Sequence, residues 1–343
     1  MAALGTLYPT LIDVSRFTGP DGRISDVADI LQQENEILDD IPWIEGNLPG
    51  GHQSSIATAR PTVAFRLLNQ GVVPVKVTAG QIVDACGIIE ARNRIDKDVA
   101  ELNGNSSAFR LQQDKGIIAA MGELLATTLI YGDVSTDEEK FNGLASRYFS
   151  LTSTYTTYNQ IIDAGGTGSD NTSIWLVGWA PDKVFGIYPK GSKAGLQSED
   201  LGLKDVITNA TTGATLRAYE SWYQWKCGIC VSDYRYVVRI ANIDVSSLIT
   251  ASDSSDTSAN LLKFMIQALG KLPARGASMR PVFYMNSTVQ SMLAVKLLDK
   301  GNLFLTMNEV KNSPVFRPNG VLSFQGVPCR RIDAITSAET AIS

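Results

Sequence analysis

The chain has 343 residues, of which 44% are hydrophobic and 19% charged, and its formal net charge is −5. That balance excludes a disordered or fibrous chain and gives enough length for one large domain or roughly two or three small ones. The acidic excess argues against a face built to grip nucleic acid, and no apolar run reaches the ~18 residues that a membrane helix needs. The first residues, MAALGTLYPTLIDVSRF, show neither a basic segment nor a long apolar one, so no signal peptide is expected and the chain reads as intracellular at synthesis.

In chain order, TGPDGR (18–23) reads as a turn, with Pro20 at a proline-compatible position and Asp-Gly after it. SDVADILQQENEILDD (25–40) then predicts a short helix capped by Ser25, with Ile30, Leu31, Ile37 and Leu38 as its apolar stripe. This segment has too little neighbouring sequence for a core of its own and must lie on something else. The single histidine, His52, falls in NLPGGHQSS and reads as a surface-loop residue. One histidine rules out His-pair metal sites and leaves general-base chemistry to carboxylates, lysine or tyrosine. Residues 41–95 read as mostly strand and turn, and the stretch 59–96 carries β-rich runs on either side of Asn69-Gln70-Gly71, which predicts a long hairpin with its tip near Gly71 to Lys76. A lone two-stranded ribbon is unstable in water, so it must pack on its own domain or on a neighbour. Arg60, Arg66 and Lys76 punctuate it.

The strongest helix spans 105–131, with Ser106 or Ser107 at its cap and Gly132 at its end. Phe109, Ile117, Ile118, Met121, Leu124, Leu125 and Leu129 recur there at three- and four-residue spacing. The glycines of IIDAGGTGSDNTSIWLV lead into a strand with no lysine after them, so they form a loop rather than a phosphate cradle. PKGSKAG (189–195) reads as a solvated turn. Further on, 256–269 predicts a helix capped by Asp256 or Thr257, 281–286 a buried strand, 287–301 a helix stopped by Gly301, and 317–335 a Pro-Asn-Gly turn with a final strand. The mixture is α+β.

KCGIC, Lys226 to Cys230, raises the question of redox or metal chemistry. From Tyr219 to Val231, apolar and polar residues alternate with a period of two and aromatics crowd the segment, which predicts a strand. Three strand residues span about 10 Å and point Cys227 and Cys230 to opposite faces, too far for a disulfide unless Gly228 bulges. A redox C-x-x-C opens a helix, and none starts here. With Cys86 and Cys329 as singletons, the four cysteines lack the two close pairs of a zinc site. Carboxylates such as Asp39, Asp40, Asp84, Glu90, Asp96, Asp98, Glu123 and Asp233 form no recognisable acid–base or metal motif, and no nucleophile elbow, zinc-protease or phosphate-loop motif occurs. The expectation is a non-enzyme with no catalytic, cofactor or metal residues.

The order of elements and the stretches TGPDGR, NEILDD, RLLNQG, IDKDVAELNGNSSAFR, FNGLASRY, SIWLVGWAPDKVFGIYPKGSKAGLQSEDLG, DYRYVVRIANIDVSSL and FQGVPCRRIDAI, spanning 18 to 335, resemble the major capsid proteins of tailed bacteriophages with the Hong Kong 97-type fold, in particular those of short-tailed phages. The resemblance implies an N-terminal arm (1–45), an extended hairpin loop (46–95), a peripheral domain (96–165) with residues 106–131 as its spine helix, and an axial domain plus returning peripheral strands (166–343). It implies a shell subunit that forms pentamers and hexamers around phage double-stranded DNA, held only non-specifically. Its partners would be copies of itself, a separate scaffolding protein, a portal protein and a cement or decoration protein, with no membrane. Its place would be the virion, after assembly in the host cytoplasm. Arg60, Arg66 and Lys76 become candidate inter-subunit contacts. Some members cross-link a lysine to an asparagine beside a glutamate; Lys76 invites the comparison, and the matching asparagine and glutamate are not identifiable from the sequence. The competing readings are an encapsulin-like shell around protein cargo and a thiol-dependent enzyme using Cys227 and Cys230.

Overall fold

The computed structural model describes residues 35–59, 61–102, 106–209, 213–250, 260–273, 279–296, 305–308 and 321–343. Its helices are α1 (Ile37–Asp40), α2 (Lys97–Glu101), α3 (Ser106–Tyr131), α4 (Val245–Thr250), α5 (Leu261–Lys271) and α6 (Ser287–Lys296). Its strands are β1 (Trp43–Glu45), β2 (Gly51–Ala59), β3 (Thr78–Ala85), β4 (Gly87–Asp96), β5 (Ile161–Asp163), β6 (Asn171–Trp179), β7 (Val184–Tyr188), β8 (Leu196–Asn209), β9 (Ala214–Val231), β10 (Val237–Asp244), β11 (Arg280–Met285), β12 (Leu305–Asn308), β13 (Val321–Phe324) and β14 (Val327–Arg331). The described chain divides into two compact units, one from Ile88–Leu125 and Gly195–Lys226, the other from 35–87, Ala126–Ala194 and Cys227–Ser343.

The first unit is built on a long antiparallel ribbon in which β8 pairs with β9 from Leu196↔Trp225 to Asn209↔Ala214. One register shift falls between Asp200 and Gly202, where Gly202 takes φ +70°, a conformation that costs glycine nothing. Ile95, Ala100 and Phe109 make a small core, with Val99 and Tyr219 packed on it. Polar pairs surround it: Arg94 Nε sits 3.0 Å from Glu220, Arg110 2.7 Å from Asp200, and the Arg110 guanidinium lies 4.8 Å over the Tyr219 ring.

The second unit holds a seven-stranded mixed sheet, ordered β12-β13-β14-β11-β6-β10-β5. Every residue of β6 is buried, which is why SIWLVGW reads as a continuous apolar run rather than an alternating one. Ile174, Leu176, Val238, Ile240 and Phe283 of this sheet pack with Leu261, Phe264, Met265 and Ala268 of α5 and with Val289 and Leu293 of α6. In this unit the end of α3 buries Ala126, Leu129 and Ile130, and the helix stops at Gly132 as expected. A Cβ there would lie 2.3 Å from the Phe141 carbonyl oxygen and 2.5 Å from that of Thr128, so only glycine fits.

Several expectations are corrected. Of the 25–40 helix, residues 25–34 lie outside the described residues, and only Ile37–Asp40 is helical in the remainder. The cap of α5 is Asn260, whose side chain accepts from the Lys263 N–H, whereas Asp256 and Thr257 lie outside the described residues, as does Gly301. The single final strand is a hairpin, β13 and β14, turned by Gln325 and Gly326 at φ 49° and 77°. Two consecutive positive φ values match the twist of paired strands, and the Gln325 backbone hides this from a reading that looks for Asn-Gly. His52 lies in β2, not in a loop; it stands opposite Asp84 and meets the Phe185 ring edge-on at 5.4 Å.

Candidate assembly surface

The expected hairpin exists. Among the described residues, β2 and β3 form a two-stranded sheet of their own, paired from Gly51↔Ala85 to Ala59↔Thr78 with a register shift between Ala57 and Ala59. Its tip is displaced from the expected position: the turn is closed by the Gln70 N–H donating to the Leu67 carbonyl, with Asn69 at φ 66°. Asparagine is one of the few side chains that tolerates this region, so the turn forms before Gly71 rather than after it. Between β2 and β3, residues 61–67 and 70–77 form no strand. Pro61 and Pro74 lack an N–H to give to a ladder, which accounts in part for the open tip.

That tip carries the most exposed apolar surface on the described chain. Phe65 is 108% exposed, Leu68 88%, Val63 81% and Val73 79%, and Leu67, Val72, Val75 and Val77 are also exposed. Scattered exposed apolar residues are ordinary, but eight within 15 positions of one loop form a patch that water would oppose. Arg66 and Lys76 lie on opposite arms of this loop and are exposed; Arg60 lies outside the described residues.

The root of the hairpin is fixed where the tip is not. Asp84, at the end of β3, is buried; it pairs with Arg147 at 2.8 Å and accepts from the Val231 N–H. Arg147 donates further to the carbonyls of Asn142 and Ile229. Gly51, facing the same point, has no room for a side chain, since a Cβ would lie 2.1 Å from the Asp84 carbonyl oxygen. Asp84→Ala should therefore cost about 3–5 kcal/mol, the usual result of stranding one half of a buried pair. Denaturant titration checks this, and a loss below about 1 kcal/mol would show that the root is held by backbone pairing alone.

The cysteines lie where the strand reading placed them. Gly228 pairs with Ile187 with no register shift, so KCGIC has no bulge, and both Cys227 and Cys230 are fully buried in β9. Burial pushes both thiols up to about 12, Cys329 to about 12 and half-buried Cys86 to about 11. That is opposite to the shift a nucleophilic or metal-binding thiolate needs. Among the described residues, no group of His, Cys, Asp and Glu is placed to hold a metal ion, and no helix is long and apolar enough to cross a membrane. Iodoacetamide at pH 8.5 should label Cys227 and Cys230 only after denaturation, and Cys227→Ser should leave assembly intact while costing about 1–3 kcal/mol for an unpartnered buried hydroxyl. Rapid labelling of either in the folded protein would revive the thiol reading.

One feature was missed in the sequence. Arg239, buried in β10, donates to the carboxylate of Glu339 at 2.9 Å, to the Ser173 hydroxyl at 3.1 Å and to the Tyr148 carbonyl at 2.8 Å, and lies 5.0 Å over the Trp175 ring. Glu339 also accepts from the hydroxyls of Ser173 and Tyr131. Around it, the terminal segment bridges Asn171, Asn242 and Ser150 through residues 339, 342 and 343. A lone arginine inside VVRIAN was the available signal of a buried counter-charge.

A subunit with a fixed core, a fixed hairpin root and an uncovered apolar tip has the geometry of one piece of a larger assembly. The family model for major capsid protein GP7 matches residues 19–343. The chain belongs to this major capsid protein family. The capsid protein is similar along its full length to that in the structure of bacteriophage Epsilon15: the TM-score is 0.79, the identity 29%, and 100% of this chain and 99% of that one are covered. The capsid of bacteriophage JBD30 matches at TM-score 0.45 and 11% identity over 90% of this chain and 93% of that one. The SrpI encapsulin of Synechococcus elongatus matches at 0.44 and 10% over 68% and 95%. The last two similarities are too low to bear on the assignment. A search of curated protein sequences finds no match. The capsid protein has the Hong Kong 97-type fold expected from the order of its elements, and it is a structural subunit of the virion that associates with copies of itself into a shell.

Proposed function

We propose that this capsid protein forms pentamers and hexamers that close into an icosahedral head around phage double-stranded DNA, and that the 61–77 tip holds neighbouring subunits together. The observation that carries the reading is the uncovered apolar tip on a firmly rooted hairpin. Arg60, Arg66 and Lys76 are its inter-subunit contacts in this account. Residues 1–45 serve as the arm, 46–95 as the extended loop, 96–165 with the 106–131 helix as the peripheral domain, and 166–343 as the axial domain with returning strands. Modest contacts at each subunit multiply around a closed shell, so no single one need be strong. A separate scaffolding protein, a portal and a cement protein complete the head in this account, and assembly takes place in the host cytoplasm. The acidic net charge suits an inner wall that leaves packed DNA unclamped. The subunit does no catalysis. Sedimentation velocity of the protein co-expressed with its scaffolding partner tests this: a discrete, fast-sedimenting boundary of megadalton size is expected, and a persistent monomer or dimer would overturn it.

A further inference from the structure

The glycine run Gly165-Gly166-Thr167-Gly168-Ser169-Asp170 has the order G-G-x-G-x-D. In calcium-binding repeats, turns of that order bind the ion. Here the loop joins β5 to β6 in the second unit and passes the irregular end of β10, where the Gly166 N–H donates to the Asn242 carbonyl at 2.8 Å. Asn171, the first residue of β6, is fully buried, and its amide turns back into the loop. Its Nδ2 donates to the Gly168 carbonyl at 2.7 Å, whereas its Oδ1 is buried with no hydrogen-bond partner among the described residues. A Cβ on Gly166 would lie 2.4 Å from that oxygen and 2.6 Å from the Asn242 carbonyl oxygen, so two oxygens converge on one point of the loop. A buried amide oxygen without a donor is costly, and a water or an ion normally satisfies it. Two exposed carboxylates bracket the loop, Asp163 and Asp170, and Asp170 Oδ1 comes within 2.6 Å of the position a Gly168 Cβ would take. Among the described residues, neither carboxylate has a lysine or arginine partner.

We propose that this loop is a calcium site, with Asn171 Oδ1, the Asn242 carbonyl and the Asp170 carboxylate as its inner ligands and Asp163 at its margin. The donors are amide, peptide and carboxylate oxygens, so the site differs in kind from the His, Cys, Asp and Glu clusters that hold transition metals. Two unpaired negative charges beside a buried oxygen select a cation over an anion. Irregular backbone suits calcium, which accepts about six to eight oxygens in loose geometry, over magnesium, which demands a regular octahedron. A bound ion would hold the loop to β10. Through Asn242, which grips both the N–H and the carbonyl of Ile342, and through the Asn171–Glu339 bridge, it would also fasten the C-terminal segment. The site lies within one subunit and stands whether or not copies close into a shell.

Calorimetric titration of calcium chloride into the chelator-treated, unassembled subunit tests the site. The expected result is one ion per chain with a dissociation constant of about 0.1–1 mM, the range of extracellular calcium modules. Asp170→Asn should weaken binding at least about tenfold. It should leave the calcium-free denaturant midpoint unchanged, because the Asp170 side chain is exposed. No heat of binding at about 10 mM calcium, or equal binding by the variant, would overturn the proposal. Hydrogen exchange of the unaltered chain provides the second measurement. With calcium at about ten times its dissociation constant, residues 164–171 should exchange about tenfold more slowly, the factor expected when opening releases the ion. Slowing that appears only in other segments, or a high-resolution map in calcium that shows a water alone at Asn171 Oδ1, would also overturn it.

Discussion

A chain in which residues 61–77 are replaced by Asn-Gly is expected to fold normally and to form no closed shells. The replaced residues are almost wholly exposed, so little of the subunit's stability is at stake. Surface changes of this kind usually stay within about 0.5 kcal/mol, and the closure entropy of a shorter loop changes slowly with its length. With Arg60 retained, Asn-Gly leaves a three-residue loop ending in glycine, a length that suits a hairpin joining the paired ends of β2 and β3 at Ala59 and Thr78. The loss should fall wholly on assembly, because the apolar patch that neighbours would cover is gone. Denaturant midpoint and electron microscopy together decide it. An unchanged midpoint with no shells is the expected pair of results; shells of normal size and yield would show that the tip is dispensable.

A loss of stability as large as that at Asp84 is expected at the buried Arg239–Glu339 pair. Arg239→Ala or Glu339→Ala should each cost about 3–5 kcal/mol, because either change strands the other charge in a dry site. Arg239→Lys should recover only part of it, since an ammonium cannot serve the Glu339 carboxylate, the Ser173 hydroxyl and the Tyr148 carbonyl in one plane. The double change to well-packed apolar residues should be milder than either single one, as it removes both stranded charges together. Chemical denaturation of the unassembled subunit gives all four values. Single variants within about 1 kcal/mol of wild type would mean that the network is bypassed by the strand pairing around it.

The two cases also mark how far sequence reasoning reaches. α3 was legible from its length and its stop at Gly132, although Ile118 and Leu124 of the expected stripe are exposed; β6 was legible from its continuous apolar run, and the β9 alternation was enough to place KCGIC in a strand. The hairpin was legible as an element, yet its tip was placed too late because an asparagine, not a glycine, supplies the left-handed residue. The cap of α5 slipped for a related reason, as Asn260 competed with earlier polar residues of equal capping ability. His52 was taken for a loop residue because the glycines before it hide the start of β2. The Arg239–Glu339 pair spans 100 positions, and no local pattern encodes it. The assembly role was legible in outline because two segments, the arm and the hairpin, lacked enough partner sequence for cores of their own.

The measurement that tests the central claim most directly is electron microscopy of the purified protein, expressed with and without its scaffolding partner. The account predicts closed shells of uniform diameter when the scaffold is present. A stable monomer or dimer under every condition, scaffold included, would contradict it.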